Sequence, residues 1–570
     1  MTQDGRVLRA AVLALVIGAI LLPIVAGLWQ TAQAAFGFLP AIGANSLGIG
    51  AWQKLFSLPG FSTSLKLTLW TGFASTALAL MLSAGLCATL YGTIRPGTAV
   101  RYLAPILATP HAALAIGLAF VLAPSGWLAR LVSPWATGWT TPVDMATVND
   151  PFGGALILGL VLKELPFFVL VMLVALGQLP VAQSVASGRA LGYSHAMVWL
   201  KIVLPQVWPL IRLPTYIVMA FALSVVDMAI ILGPSNPPTL AVAVTRWFMA
   251  ADTTLILPAS AGALLQAIVI IASIGALWLA EKVGAAFGRR WLRRGRRGLW
   301  GEPILWGAST LVGALALLGL AALLALLLWS VAWRWPFPLA IPESWSLRVW
   351  SNPAGGWGLA LANTLAIAVA ATVVSTALAI AWLEGEDRGK RPRAAWAAGL
   401  ITLPLLVPQI GFLYGLNVVL LRAGVTGGLG SVIWVHVLFV FPYVMIALSR
   451  SWRALDPRLL NSAKALGASP LRCLLAVKLP ILVRPILTAG AIGFSVSVAQ
   501  YLPTLFMGAG RVATLTTEAV TLSSGSDRRV VGVYAVLQAF LPFAAYAAAL
   551  LLPAALHQNR RALTAGSMNQ

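Results

Sequence analysis

Residues 188–205 read GRALGYSHAMVWLKIVLP, and residues 463–480 read AKALGASPLRCLLAVKLP. Both follow the pattern small–basic–Ala–Leu–Gly–x–Ser, with a Leu-Pro whose proline stands eleven positions beyond the serine. Each copy lies in one of the few polar stretches of a chain that is 60% hydrophobic and only 9% charged, with mean hydropathy +0.90. Soluble domains carry roughly 25% charged residues. A water-soluble fold is therefore excluded. A polar motif used twice in a membrane protein points to a docking surface used twice.

The local chemistry of the motif predicts two short helices joined by a tight elbow. In 457–486, PRLLNSAKALGASPLRCLLAVKLPILVRPI, a first helix fits Arg458 to Leu466. Gly467 suits the left-handed residue that ends a helix without steric cost. Ser469 is a good N-cap, and Pro470 a good first residue of the next helix. Pro480 and Pro485 then disturb that helix as it enters the bilayer. Gly192, Ser194, Pro205 and Pro209 repeat the plan in the first copy. Small Ala190 and Ala465 allow a partner close approach, with Arg189 and Lys464 beside them at matching places.

Around the motifs, hydropathy divides the 570 residues into about twelve apolar runs, each near the roughly 20 residues that cross a bilayer. They fall near 8–29, 64–91, 102–123, 153–177, 213–233 and 256–280, then 304–330, 358–383, 395–421, 431–449, 486–506 and 530–556. The first run has a basic start and an Ala32-Gln33-Ala34 resembling a cleavage site, but it exceeds the usual signal-peptide core. A retained helix is favoured. The formal charge of +23 follows the positive-inside rule better than it follows nucleic-acid binding. With both termini in the cytoplasm, 27 of the 38 basic residues face that side, and so do both motifs. Cys87 and Cys473 belong to different levels of the membrane, so neither a disulfide nor a metal site is expected.

The halves are related in sequence. Ser75-Thr76-Ala77-Leu78-Ala79 recurs as Ser375-Thr376-Ala377-Leu378-Ala379, an offset of 300, whereas Leu191-Gly192 recurs as Leu466-Gly467, an offset of 275. The first half thus holds 25 extra residues, expected in the external loop around 124–152. The division predicted is a first repeat 1–285, a basic linker 286–303 and a second repeat 304–570. Each repeat has an even number of spans, so the copies are parallel.

Two motifs with this core resemble the EAA loop of the permease subunits of ABC importers. The resemblance covers essentially the whole chain as a fused pair of permease domains. It implies an all-α integral membrane fold of about twelve helices, two parallel six-helix repeats of the type I importer. It also implies that Ala186, Ser187, Gly188, Arg189, Ala190, Leu191, Gly192 and Ser194 form one ATPase-coupling element. Asn461, Ser462, Ala463, Lys464, Ala465, Leu466, Gly467 and Ser469 form the other. The family's leading Glu is replaced by Ala186 and Asn461, while the elbow glycine is kept. The fused form is similar to permeases for ferric iron, thiamine and related small solutes in the bacterial inner membrane. Residues 500–525, QYLPTLFMGAGRVATLTTEAVTLSSG, resemble the thiamine-type branch. Two ABC ATPase subunits and a periplasmic substrate-binding protein are the implied partners, with no cofactor.

No phosphate-binding loop is visible. The nearest stretch, Gly385 to Arg391, has the wrong glycine spacing, so energy must come from separate ATPases. Charges inside a span are costly and face protein or water. Asp227 and, at a comparable place, Gln500 are the candidates for the translocation path, against a purely structural hydrogen bond. Lys163 and Glu164 pair or snorkel, and His436, Gln409 and Asn417 bond between helices. The rival readings are a twelve-helix transporter driven by an ion gradient, which calls for more intramembrane carboxylates, and a membrane enzyme, which calls for clustered His, Asp or Glu.

Overall fold

The computed structural model describes residues 3–91, 103–295, 298, 301–354, 356–389, 395–425, 427–525 and 527–556. Arg95, Arg101, Arg296, Arg297, Lys390, Arg391, Arg393, Arg560 and Arg561 of the charge count, and His557, lie outside the described residues. Among the described residues, ten helices are long and apolar enough to cross a membrane, and two sharply bent pairs raise the number of spans to as many as twelve. Strands occur among the described residues only as short antiparallel pairs, β1 (Phe38–Leu39) with β2 (Ala44–Asn45) and β3 (Ala332–Arg334) with β4 (Ser344–Trp345).

The halves share one order of elements. The first has α1 (Val7–Ala35), α2 (Phe61–Leu90), α3 (His111–Leu122), α4 (Gly154–Leu176) and the elbow helix α5 (Val181–Ala190). It continues with α6 (His195–Ser224), the short α7 (Asp227–Leu232) and α8 (Leu240–Phe248), and the long α9 (Ile256–Arg293). The second half has α10 (Gly301–Val331), α11 (Trp357–Gly389), α12 (Gln409–Arg422), α13 (Leu429–Arg453) and the elbow helix α14 (Pro457–Ala465). It ends with α15 (Pro470–Ile481), α16 (Val483–Val498), α17 (Leu502–Gly508), α18 (Leu515–Leu522) and α19 (Arg528–Leu556). Residues 123–153 separate α3 from α4, whereas only 423–428 separate α12 from α13. The difference is the expected 25 residues, in the expected loop. Buried Arg130 fastens that insertion to the β3–β4 hairpin, donating to the carbonyls of Trp335 (3.2 Å) and Pro336 (2.9 Å).

Several runs that read as continuous by hydropathy are broken. Pro110 and Pro408 each stand immediately before a new helix, and the second break turns the chain by 96°. Proline lacks the N–H that would continue the ladder, and it disfavours helix in the residue before it. The fifth spans stop at Ser224 and Val498, resuming at Asp227 and Leu502, so the breaks match at the 275 offset. In the second half the chain also bends by 75° at Leu482, where Pro485 follows closely. Irregular backbone at membrane depth is tolerated only where protein or a water-filled path surrounds it.

The first span of each half packs mainly on the other half. α1 lies against α11 and α12, and α10 against α2 and α3. The two crossings are equivalent. A methyl group at Gly415 would collide with the carbonyl oxygen of Gly27, and one at Gly117 with the carbonyl oxygen of Ala322. In lipid, where tails are as apolar as leucine, such close backbone approach is a main source of helix association. Arg422 donating to Gln30 Oε1 (2.9 Å) and Trp434 donating to the Ala19 carbonyl (3.0 Å) add polar ties across the first crossing.

Gly415→Val is expected to destabilise the detergent-purified protein by about 1–3 kcal/mol or more, seen as a lower Tm. Gly275→Val, where an added Cβ meets nothing within 4 Å, serves as the control and leaves Tm near the wild-type value.

Candidate functional site

The two elbows are the same object built twice. At the end of α5, Gly192 has φ +81°, and at the end of α14, Gly467 has φ +81°. Gly192 N–H reaches the Arg189 carbonyl (2.9 Å), and Tyr193 N–H reaches that of Gly188 (3.2 Å). Gly467 N–H reaches Lys464 (2.9 Å), and Ala468 N–H reaches Ala463 (3.0 Å). This paired bonding is the Schellman ending, which needs a residue free to adopt positive φ. Ser194 Oγ then accepts from Met197 N–H, and Ser469 Oγ from Arg472 N–H, each at 3.3 Å. Inside the elbow, Gly188 sits against Val198, where a Cβ would fall 2.6 Å from a methyl. The second copy has Ala463 and Cys473 at those positions, a larger residue facing a smaller one.

Each elbow presents an apolar tip. Leu191 is 64% exposed and Leu466 is 89% exposed, flanked by exposed Arg189, Ala190 and Gly192 in one copy and by exposed Lys464, Ala465 and Gly467 in the other. Ala186, Ser187, Asn461, Ser462 and Ser469 are also exposed, Ser194 and Ala463 are half-buried, and Gly188 is buried. Beyond each serine, the helix widens for one turn. Leu204 N–H bonds to the Trp199 carbonyl and Leu479 N–H to that of Leu474, five residues back. The wide turn gives room to the rings of Pro205 and Pro480, which would otherwise press on the carbonyl four residues earlier.

The elbows differ in what holds them from behind. Buried Lys478 donates to Glu384 Oε2 (2.6 Å) and Asp387 Oδ2 (2.5 Å) at the end of α11. Trp452 Nε1 also reaches Asp387 (3.0 Å), Arg388 pairs with Glu384 (2.8 Å), and Arg453 pairs with Glu386 (3.0 Å). The first elbow rests on aromatic rings and on residues at the junction between the halves. The Lys201 ammonium lies 4.5 Å from the Trp291 ring centre and 5.2 Å from that of Tyr193. Glu302 accepts from Ala196 N–H (3.3 Å), and His195 Nε2 bonds to the Ala88 carbonyl (2.8 Å). Sequence reasoning missed both anchors. The signal was the cluster Glu384-Gly385-Glu386-Asp387-Arg388, which draws notice in the sequence only as a failed phosphate loop.

The central breaks gather the intramembrane polar groups. Asp227 begins α7 directly after the break and is 8% exposed, within electrostatic reach of Lys163 and Tyr501. Gln500 lies inside the matching break, 7% exposed, with Nε2 donating to the His436 carbonyl (3.4 Å) and Oε1 without a partner. The residue equivalent to Asp227 at the 275 offset is Leu502, and that equivalent to Gln500 is Val225. The polar groups at the two breaks are therefore asymmetric. Lys163 does not pair with Glu164. It donates to the carbonyls of Ile106 (3.2 Å), Leu107 (2.7 Å) and Thr109, which end the helix at 103–108 before Pro110. Those carbonyls have no helical partner, and the ammonium supplies one. Both Glu164 carboxylate oxygens are buried without a hydrogen bond. His436 links helices as expected, bonding Ser497 Oγ (2.8 Å) and Thr504 Oγ1 (2.9 Å).

A duplicated helical bundle with broken central spans and paired surface elbows defines a polytopic membrane transport subunit. The sequence comparisons give the family. The model of the binding-protein-dependent transport system inner membrane component matches residues 387–557. The inner membrane ABC transporter permease protein YnjC of Escherichia coli (strain K12) is 31% identical over 507 residues, 89% of this chain and 91% of that protein. The spermidine/putrescine transport system permease protein PotC of Haemophilus influenzae is 27% identical over 140 residues, 25% of this chain and 53% of that one. The putrescine transport system permease protein PotI of Escherichia coli (strain K12) is 28% identical over 167 residues, 28% of this chain and 57% of that one. The chain belongs to the inner membrane permeases of binding-protein-dependent ABC transporters, as a fused, two-repeat, multi-pass member. The family works with ATPase and substrate-binding partners, which removes the ion-gradient reading.

Removing one member of a buried ion pair leaves its partner uncompensated, at about 3–5 kcal/mol. Lys478→Met is accordingly expected to lower the Tm of the purified permease markedly. Adding Glu384→Gln to it is expected to recover part of the loss. No difference between the single and double variants would contradict the anchoring of the second elbow by this pair.

Proposed function

We propose that this chain forms the translocation path of an importer and couples it to two ATPase subunits, one at each elbow. The repeats are 1–285 and 304–570, joined by the linker 286–303. The coupling surfaces are Ala186–Ser194 and Asn461–Ser469. The observation that carries this reading is the identical construction of the elbows, each with a glycine at φ +81° and an exposed leucine at its tip. The sequence places 27 of its 38 basic residues on the side of the two motifs, which supports placing the elbows and both termini in the cytoplasm. A periplasmic binding protein then docks on the opposite face. ATP binding outside this chain draws the elbows together and rocks the halves about the crossed first helices.

Asp227 and Gln500 line the path at the breaks of the fifth spans. The substrate is a small solute, thiamine-like or ferric iron, and a cation in either case. Support comes from the Asp227 carboxylate, whose cationic neighbour Lys163 is already bonded to three backbone carbonyls. The names of the PotC and PotI relatives point to polyamines for those proteins, which are cations too.

Co-purification with the cognate ATPase tests the coupling. Gly192→Pro plus Gly467→Pro is expected to abolish association and ATP-dependent uptake. Leu191→Asp plus Leu466→Asp, at exposed positions, is expected to do the same while the permease elutes as a folded, monodisperse species. Unchanged association and transport in these variants would overturn the reading. For the path, Asp227→Asn is expected to reduce uptake at least about tenfold, the effect of losing roughly 1.4 kcal/mol, with ATPase association intact. Equal uptake would remove Asp227 from the path.

A further inference from the structure

At the end of the bundle away from the elbows lies a cavity of about 280 Å³. Its walls include Trp333, Trp357 and Tyr534, and its polar groups include Asn352 and the charged Arg348, Asp527 and Arg529. The placement follows from α10. Its Gly301 end packs on Ala196 of the first elbow. Its 31 residues, at about 1.5 Å each, carry the chain across the membrane to Trp333.

The charges in the cavity do not cancel. Arg529 Nε donates to Asp527 Oδ2 (2.7 Å), and Arg529 NH1 donates to the Trp333 carbonyl (3.2 Å). Burial works against the ionised Asp527, but the bonds from Arg529 prevail and hold its pKa below the usual carboxylate range. Asp527 and Arg529 therefore neutralise each other. The Arg348 guanidinium stands 5.9 Å from the Trp333 ring centre and has no carboxylate partner within salt-bridge distance among the described residues. One uncompensated positive charge remains in a pocket with three aromatic walls.

The rim is apolar. Ile341 is 68% exposed, Trp345 52% and Leu347 64%, all on the segment that carries Arg348. Large apolar side chains beside an arginine, with tryptophans at the end of a spanning helix, mark the headgroup level of a bilayer. Water is a poor solvent for these side chains, and acyl chains are a good one.

We propose that this cavity holds the phosphate of an anionic phospholipid from the leaflet opposite the elbows, with Arg348 as its main contact. The acyl chains run along Trp345 and Leu347. A lipid seated there joins the outer ends of α10, α11 and α19, which otherwise meet through short loops.

The test is native mass spectrometry on the full chain, released from nanodiscs that contain phosphatidylethanolamine with a minor share of phosphatidylglycerol. Wild type is expected to retain one phosphatidylglycerol, and to gain Tm when that lipid is added to delipidated protein. Arg348→Ala is expected to lose at least about tenfold in retention, and Arg348→Lys to recover part of it. Inorganic phosphate is expected neither to displace the lipid nor to raise Tm. Equal retention in wild type and Arg348→Ala would overturn the proposal. So would stabilisation by inorganic phosphate alone, which would mark a site for a free anion. So, too, would loss of binding-protein docking in Arg348→Ala with lipid retention unchanged, which would mark a partner's carboxylate as the occupant.

Discussion

Two crossed helices hold the molecule together. α1 leaves its own repeat to lie on α12, and α10 does the same on α3. Each crossing requires two backbones to approach at glycine, at Gly27 with Gly415 and at Gly117 beside Ala322. In a bilayer the hydrophobic effect gives helices little reason to associate, so close backbone packing carries a larger share of the stability. The crossing also places the third spans at the boundary between the halves. There the breaks before Pro110 and Pro408 are enclosed by protein, and the Lys163 ammonium satisfies the carbonyls freed at the first of them. The irregular centre is permissible because the swapped helices surround it.

The elbows lie at one end of this bundle and are fastened to it differently. The second is pinned by a buried charge network between Lys478 and the end of α11. The first rests on Trp291 and Glu302, on either side of the junction between repeats. In a fused chain the junction is available as a support for one elbow only. The construction of the elbow is thus duplicated, while its foundations have diverged. The breaks of the fifth spans show the same divergence, with Asp227 matched by Leu502 and Gln500 by Val225. A two-repeat chain can keep paired elbows while the polar groups of its two halves differ.

What the sequence reveals is what local chemistry decides. Gly467, Ser469 and Pro470 must end one helix and begin the next in almost any surroundings, so the elbow is legible residue by residue. The inserted 25 residues are legible from a change in offset alone. The breaks at Pro110 and Pro408 are only half visible, because hydropathy runs through them without interruption. Lys478 and Glu384 are 94 positions apart, and nothing local links them. The exchange of first helices is invisible for the same reason. Periodicity shows that a helix has an apolar face, and two homologous repeats offer that face nearly identical partners. Gln500 and Asp227 stand in similar surroundings in the sequence, yet the aligned breaks place them two positions out of register.

On the proposed reading, each elbow seats one ATPase through its exposed leucine. Site-specific crosslinking measures this most directly, using Leu191→Cys and Leu466→Cys separately in a background with Cys87→Ser and Cys473→Ser. The expected result is one ATPase copy captured from either position, with the yield changing on addition of ATP. Capture from neither position, in a complex that still transports, would contradict the account.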